Sequence, residues 1–221
     1  MQAVILAAGK STRTYPLTLT RPKPMLKVAN KPLLEHNLDA IKDFVSEVII
    51  VVGYKKEMIE SYFGSKHKSL KIKYVEQKEQ LGTAHAISRL EPYIKGKFLL
   101  MMGDDLYSRE DVKNCIKHDY SLLVAKTKNP QNFGVVAEKK GIMQDLIEKP
   151  QHFVSDLIST ALYVLDRKIF DCIKKIRKSS RGELELPDAV RLLSKKEKIH
   201  CVKSRNWIPI GYPWDLLNAD N

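Results

Sequence analysis

The chain is poor in cysteine, because its 221 residues include only Cys115, Cys172 and Cys201. These three are far apart and form no C-x-x-C pair, and the six histidines are equally scattered. A disulfide framework or a zinc site therefore has no suitable spacing to build on. We expect three reduced, mostly buried thiols in a cytoplasmic protein.

Long apolar runs are also missing. No stretch approaches the ~18 consecutive apolar residues that a membrane span needs, and residues 1–8 lack the basic region and cleavage site of a signal peptide. No linker, low-complexity segment or internal repeat interrupts the chain. With 43% hydrophobic and 29% charged residues, the composition predicts one soluble globular domain with a sizeable core and no membrane partner.

Acidic residues are fewer than basic ones: the chain has 26 Asp and Glu and 38 Lys and Arg, which gives a net charge of +12. Such an excess suits a nucleic-acid surface, a site for polyanionic small molecules, or simply a lysine-rich solvated surface. The lysines are spread along the whole chain, and no RNA-binding or zinc-finger pattern accompanies them. We therefore expect no nucleic-acid partner.

The first half alternates short β-branched runs with segments of helical spacing. The strand-like runs are Ala3–Leu6, Val48–Val52, Ile72–Val75 and Phe98–Met102. The helix-like segments are Pro32–Phe44, Lys55–Phe63, Thr83–Leu90 and Glu110–Ile116. This alternation predicts βαβ units, and so an α/β fold with a Rossmann-like, mostly parallel mixed sheet and helices on both faces.

The second half changes character, because strand-like runs follow one another with few helices between them. These runs are Ser121–Ala125, Val135–Ala137, Met143–Ile147 and Ile158–Val164, and the later helical segments are Lys168–Ile176 and Glu185–Leu193. We expect antiparallel strands added to the parallel core. The chain is predicted to be one domain, residues 1–221, with a first half of about 1–120 and a second of about 121–221.

The loop after the first strand is the strongest local signal. Small residues at 7–9 let backbone N–H groups approach a ligand closely, and ligands of open α/β sheets bind at the carboxyl ends of strands. Arg13 offers a planar fork for phosphate oxygens, and Lys23, between two prolines, offers a compact charge. A P-loop is excluded because Val4 stands where that motif needs glycine. From these residues alone, a phosphate site and an ordinary loop with two surface cations are about equally supported.

Residues 6–18, LAAGKSTRTYPLT, and residues 21–24, RPKP, resemble the sugar-1-phosphate nucleotidyltransferases related to glucose-1-phosphate thymidylyl- and uridylyltransferases. That family's loop reads approximately LAAGxGTRxxPLT, followed by a PKP lysine, and Ser11 replaces its second glycine. The resemblance implies that the backbone of Leu6, Ala7, Ala8 and Gly9 binds the nucleotide. It also implies catalytic roles for Arg13 and Lys23.

The resemblance runs from Ala3 to about Leu217. Many relatives continue into a C-terminal left-handed β-helix, whereas this sequence stops at Asn221. Residues 77–84, QKEQLGTA, match the family segment that contacts the base. This assigns Gln77 and Gly82 to nucleotide binding together with Thr83, which is also a candidate cap for the following helix.

Asp104 ends the fourth strand-like run, where the family places an aspartate that binds Mg²⁺. Carboxylate oxygens suit that ion, so the resemblance implies Mg²⁺ as cofactor and Asp104 as both metal ligand and catalytic residue. Asp105, beside it, is a competing candidate.

The sugar-phosphate site is implied by three further segments that match the family. Gly134 lies in the first, Glu148 and Lys149 in the second, and Ser159 and Thr160 in the third. Glu148 is expected to accept hydrogen bonds from sugar hydroxyls and Lys149 to hold the phosphate. In the third segment Ser159 stands where the family often has asparagine, and Ala161 replaces a glycine.

Two later segments match with substitutions. Residues 181–189, RGELELPDA, resemble a family motif with Pro187 in place of threonine. Residues 207–211, WIPIG, resemble W-x-D-[IT]-G, and Pro209 falls on the second metal-binding aspartate. Proline has no side-chain ligand for a cation, so the resemblance implies weakened metal binding and reduced activity.

The function implied is transfer of a nucleotidyl group from a nucleoside triphosphate to a sugar 1-phosphate, with release of pyrophosphate. Thymidine, uridine, cytidine and guanosine nucleotides are all compatible, and UTP or dTTP is favoured. One alternative is a silent relative that binds nucleotide or nucleotide-sugar and regulates a partner subunit. Another is a cytidylyltransferase for a non-sugar phosphate. The resemblance also suits a homo-oligomer, or a hetero-oligomer with a related subunit.

Overall fold

The computed structural model describes residues 1–220, and its helices and strands alternate along the chain. The strands are β1 Gln2–Ala7, β2 Lys27–Val28, β3 Lys31–Pro32, β4 Glu47–Val52, β5 Lys66–His67, β6 Leu70–Glu76, β7 Phe98–Met102, β8 Ser121–Lys126, β9 Gly134–Lys139, β10 Ile142–Glu148, β11 Leu157–Leu165 and β12 His200–Lys203. The α-helices are α1 Leu33–Ile41, α2 Lys56–Phe63, α3 Thr83–Ser88, α4 Arg109–Cys115, α5 Lys168–Ile173, α6 Leu186–Ser194 and α7 Pro213–Asp220.

Ten strands form one mixed sheet in the order β5-β6-β4-β1-β7-β11-β8-β12-β10-β9. Strands β6, β4, β1 and β7 run parallel to their neighbours in this group. Strand β11 then pairs antiparallel with both β7 and β8. The fold is therefore the expected α/β sheet, with a parallel first half and largely antiparallel additions.

Apolar side chains cover both faces of the parallel strands, because successive residues of a strand point to opposite faces. In β1, Val4 and Leu6 pack into the cluster that includes α3, α5 and α6. Ala3, Ile5 and Ala7 pack into the opposite cluster, with α1, α2 and α4. Helices thus lie on both faces of the sheet, as predicted.

The predicted elements agree with the structure to within a few residues, and Phe98–Met102 has the predicted bounds. The predicted helix Pro32–Phe44 is shorter, ending at Ile41. Strands β2, β3, β5 and β12 and helix α7 were not expected. Cys115 and Cys172 are buried, Cys201 is half-buried, and all three are free thiols. Among residues 1–220, the helices are too short or too polar to cross a membrane.

Candidate active site

Two adjoining cavities open at the carboxyl ends of the central strands, where ligands of open α/β sheets bind. The smaller cavity, of about 210 Å³, is lined by these predicted residues: Leu6, Ala7, Ala8, Gly9, Gln77, Gly82, Thr83 and Asp104. The larger, of about 560 Å³, is lined by these: Leu6, Arg13, Lys23, Thr83, Asp104, Gly134, Glu148, Lys149, Ser159 and Thr160. The structure therefore brings every predicted site residue to one of the two cavities, and Asp104 borders both.

The loop after β1 is tied down by its own hydroxyl groups. Thr14 and Thr18 both donate from Oγ1 to the carbonyl of Ser11, at 2.7 and 2.9 Å. Ser11 has φ of 51°, the left-handed conformation that favours glycine. These bonds place Arg13 at the larger cavity, with its guanidinium carbon 6.0 Å from the centroid of the Tyr212 ring.

Gln77, at the end of β6, forms the buried wall of the smaller cavity. Its Nε2 donates to the carbonyl of Gly82 at 3.2 Å and lies 3.2 Å from Nδ1 of His85. Gln80 also lines this cavity and donates from Nε2 to the carbonyl of Ala8 at 2.8 Å. Gln80 has no role in the sequence prediction, although it lies within the matching run.

Gly82 makes the closest backbone approach in this region. It has φ of 104°, and a Cβ atom there would lie 2.4 Å from the carbonyl oxygen of Leu184, so only glycine is accommodated. Ala84 N donates to that same oxygen at 2.9 Å, and Leu184 N donates to the carbonyl of Leu81 at 2.8 Å. The segment 181–186 is thereby clasped onto the start of α3.

Thr83 does not cap α3, which corrects the sequence prediction. Gly82 is at the N-cap position. The Thr83 hydroxyl instead accepts a hydrogen bond from the backbone N–H of Leu186 at 3.0 Å. The reason is tertiary: the clasped segment brings the first turn of α6 to Thr83.

Asp104 and Asp105 have different surroundings. Asp104 Oδ2 forms an ion pair with the buried ammonium of Lys23 at 2.9 Å. Asp105 Oδ1 accepts from the backbone N–H of Ile210 at 3.0 Å. Burial, and then the neighbouring Asp104, raises the pKa of Asp105 to about 6. Asp105 therefore anchors the 208–211 segment and borders the larger cavity, whereas Asp104 borders both cavities.

These residues fit a Mg²⁺ ion only in part. Asp104 supplies the hard oxygen that Mg²⁺ prefers, and the ion commonly completes its shell with substrate oxygens and water. Pro209 borders the larger cavity and contributes no side-chain ligand. Asp105 and Asp215 also border the larger cavity, but each has an oxygen that accepts from backbone N–H groups of residues 210–212. A cation here would depend on Asp104, with Asp105 or Asp215 as the second carboxylate.

A separate group of Glu35, Asp39 and His67 has ligand atoms within 4.8 Å of one another. It lies away from the two cavities and is already neutralised. Burial alone would raise the pKa of Asp39, but hydrogen bonds from Lys68, His67 and Lys31 hold it well below its usual range. The group is an ion-pair cluster between α1 and β5.

Glu148 lies in the larger cavity beside Arg181, which carries no assigned role in the sequence prediction. Arg181 Nη2 lies 3.3 Å from Glu148 Oε1 and 2.8 Å from Oε1 of the buried Glu185. Burial raises the pKa of Glu148, and the Arg181 charge opposes that rise. A Cβ atom on Gly134 would lie 3.1 Å from Glu148 Oε2. The guanidinium thus forms ion pairs with the half-buried carboxylate of Glu148 and the buried carboxylate of Glu185 at the wall of this cavity.

Ser159 and Thr160 have hydroxyls that are engaged with the protein. Ser159 Oγ lies 2.9 Å from Oη of Tyr163 and accepts from Ala161 N at 3.1 Å. Thr160 Oγ1 donates to the carbonyl of Leu123 at 3.0 Å. Ala161 has φ of 59°, at the irregularity in the pairing of β11 with β8. Alanine therefore occupies a conformation that suits the glycine expected from the family motif.

The arrangement is a smaller cavity that adjoins a larger one lined by several charged residues, and Asp104 borders both. The nucleotidyl transferase family matches residues 2–221. The chain belongs to this family. The resemblance seen in the sequence and the expected fold class are both confirmed.

Among curated relatives, the bifunctional protein GlmU of Methanocaldococcus jannaschii is 41% identical over 222 residues, covering all of this chain and 53% of that protein. The chain therefore spans about half the length of such relatives. The UTP–glucose-1-phosphate uridylyltransferase AglF of Haloferax volcanii is 36% identical over 236 residues, with 100% of this chain and 95% of AglF covered.

Among solved structures, a putative glucose-1-phosphate thymidylyltransferase from Bacillus anthracis, in complex with a sucrose, superposes with a TM-score of 0.89. It is 26% identical, and the match covers 100% of this chain and 94% of that one. A UDP-glucose pyrophosphorylase bound to UDP-glucose has the same fold, with a TM-score of 0.87 at 24% identity.

Proposed function

We propose that the chain transfers a nucleotidyl group, from UTP or dTTP in preference, to a sugar 1-phosphate and releases pyrophosphate. The observation that carries the proposal is that the two cavities share Asp104, whose carboxylate is paired with Lys23 in the larger one. A nucleotide in the smaller cavity and a sugar phosphate in the larger would bring their phosphates together at these groups. Family membership and the name of AglF favour UTP with glucose 1-phosphate as the first pair to test.

In this reaction an oxygen of the sugar phosphate attacks the α-phosphorus of the nucleoside triphosphate. The new P–O bond forms as the bond to the β-phosphate oxygen breaks, and pyrophosphate leaves with the electron pair. No general base is needed because the attacking phosphate is already ionised. Positioning and charge stabilisation therefore dominate catalysis.

The charged residues have complementary roles in this proposal. Lys23 and Lys149 hold two phosphates that repel each other, and Arg13 stabilises the triphosphate and the departing pyrophosphate. Asp104 would hold Mg²⁺, whose charge offsets that of the phosphates when the ion is bound. Glu148 accepts hydrogen bonds from sugar hydroxyls.

The two halves of the chain divide these tasks. Residues 1–120 supply the nucleotide side and residues 121–221 the sugar side, with residues 181–186 returning to the base cavity. Leu6 to Gly9 and Gly82 bring backbone close to the nucleotide. Gly134 does the same for the sugar.

Pyrophosphate release tests the proposal across a grid of UTP, dTTP, CTP and GTP with glucose 1-phosphate and N-acetylglucosamine 1-phosphate. We expect release that requires Mg²⁺ and both substrates, and loss of at least about 100-fold in Lys23→Ala. Release without a sugar phosphate would contradict the proposal.

A second candidate is a catalytically silent relative that binds nucleotide or nucleotide-sugar and regulates a partner subunit. Pro209 favours it, since this residue removes a carboxylate from the cavity. No turnover of any pair in the grid, together with calorimetric binding of UDP-glucose, would favour this alternative.

A further inference from the structure

Gln77 presents one defined hydrogen-bonding face to the smaller cavity. Its side chain is buried, with 6% of its surface exposed. Its backbone N–H donates to the carbonyl of Val52 at 2.8 Å, which fixes it at the end of the sheet. What the side chain offers a base depends on which way its amide group is turned.

The surroundings of the amide settle that orientation. The carbonyl of Gly82 can only accept, so the atom 3.2 Å from it must be the amide nitrogen. The same nitrogen lies 3.2 Å from Nδ1 of His85. A turned amide would place its oxygen against the Gly82 carbonyl, and two acceptors repel. The two amide hydrogens thus match two acceptors, with His85 in the tautomer that carries its proton on Nε2.

The oxygen Oε1 is then the amide atom left without a hydrogen-bond partner among residues 1–220, and Gln77 lines the cavity. An acceptor pairs with a base that has a ring N–H, as uracil, thymine and guanine do. Cytosine and adenine present an unprotonated ring nitrogen at that position, which leaves two acceptors opposed unless the base shifts to bring its exocyclic amino group to Oε1. A site built for one pattern rejects the other strongly, because its polar group stays unpaired.

We propose that His85 is a positioning residue that locks the Gln77 amide and so restricts the nucleotide to one whose base carries a ring N–H. This inference rests on the proposed function. His85 lies in the first turn of α3 and does not line either cavity. It acts on the base through Gln77.

The experiment compares kcat/KM for UTP and CTP, from pyrophosphate release with glucose 1-phosphate, in the wild type and two matched variants. His85→Leu removes the acceptor. His85→Asn has the same branching and can place Oδ1 near the position of Nδ1. We expect the wild type to prefer UTP over CTP by at least about 100-fold and His85→Leu to lower that preference about tenfold. His85→Asn should restore most of it, and GTP and dTTP show whether ring size or the methyl group adds further selection.

A structural role alone would lower both rates together and leave their ratio unchanged, so an unchanged ratio in His85→Leu would overturn the inference. Equal use of CTP by the wild type would overturn it as well. If no triphosphate is turned over, the proposed function fails instead. In that case the preference for UTP over CTP is measured as the ratio of calorimetric dissociation constants in the wild type and both variants. Equal binding of UTP and CTP by the wild type, or a ratio that does not change in His85→Leu, would then overturn the inference.

Discussion

Ser11 and Ala161 hold a left-handed backbone conformation at positions where the family motif has glycine. Left-handed φ costs a residue with a side chain roughly 1–2 kcal/mol, partly offset by the greater chain entropy that glycine loses on folding. We predict that Ser11→Gly raises the free energy of unfolding by about 0.5–1 kcal/mol, with a smaller gain for Ala161→Gly because it also loses a methyl group. Urea denaturation measures both.

The control is Ala137→Gly in β9, where φ is not positive. This substitution should lower stability, since glycine weakens a strand. A loss in Ser11→Gly of the same size as in the control would show that the conformation at residue 11 carries no strain.

The ion pair between Arg181 and Glu148 leads us to predict a pH effect on kcat/KM for the sugar phosphate. Because burial raises the pKa of Glu148 and Arg181 opposes the rise, Arg181→Gln should raise that pKa further. Under the proposed function the carboxylate is the form that accepts from sugar hydroxyls, and it is lost as pH falls through its pKa. The acid limb of kcat/KM for the sugar phosphate should therefore move to higher pH.

A matched control is Arg191→Gln, which breaks an ion pair with Asp145 outside the two cavities. Its pH profile should be that of the wild type. An acid limb that stays in place in Arg181→Gln would show that Glu148 is not kept ionised by Arg181.

The proline at position 209, where the family motif has a metal-binding aspartate, leads to a prediction about the response to Mg²⁺. Restoring a carboxylate with Pro209→Asp should lower the Mg²⁺ concentration for half-maximal turnover and tighten calorimetric Mg²⁺ binding in the presence of UDP-glucose. Pro209→Ala removes the ring without adding a ligand and should change neither. A Pro209→Asp variant that turns over no faster and needs no less Mg²⁺ would contradict the prediction.

At the scale of whole elements, α4 is joined to the loop that leads to residues 207–211. The buried carboxylate of Asp111 accepts hydrogen bonds from Ser204 Oγ at 2.9 Å, Arg205 N at 3.0 Å and Asn206 N at 3.2 Å. Asp111→Ala would leave these donors without their partner. We expect it to lower the free energy of unfolding by about 2–4 kcal/mol in urea denaturation. Asp119→Ala, at a side chain that is 95% exposed, should change stability little.

The elements that were predicted well from the sequence are those whose own residues are apolar enough to indicate that they are buried. Phe98–Met102 is apolar throughout and fully inside the sheet. By contrast, β12 has only four residues, none of them buried, and its place is set by pairing with β8 and β10. Helix α7 has too weak an apolar stripe to stand out from the flanking loop.

The same distinction applies to the site. The lining residues were predicted from local motifs that match a family. Gln80, Arg181 and Glu185 received no role because their positions depend on contacts between segments far apart in sequence. The capping role of Thr83 was wrong for that reason, since Leu186 is 103 residues further along the chain.

At the scale of the whole molecule, the net charge of +12 should attract phosphorylated substrates. We predict that raising the ionic strength from about 0.05 to 0.5 M lowers kcat/KM for UTP, because salt screens the attraction over a shorter distance. The value of kcat at saturating substrate is the internal control and should change less. A kcat/KM that does not change with ionic strength would show that the excess lysines serve solvation alone and do not attract the substrate.

The clasp of residues 181–186 on the start of α3 has a thermodynamic consequence. Leu184 is hydrogen-bonded to Leu81 and Ala84, beside the cavity proposed for the base, and Arg181 of the same segment pairs with Glu148 in the cavity proposed for the sugar. A ligand that orders residues 181–186 from one side lowers the conformational-entropy cost that remains for the ligand binding on the other side. Linkage requires the benefit to be mutual: by whatever factor the nucleotide tightens sugar-phosphate binding, the sugar phosphate tightens nucleotide binding by the same factor.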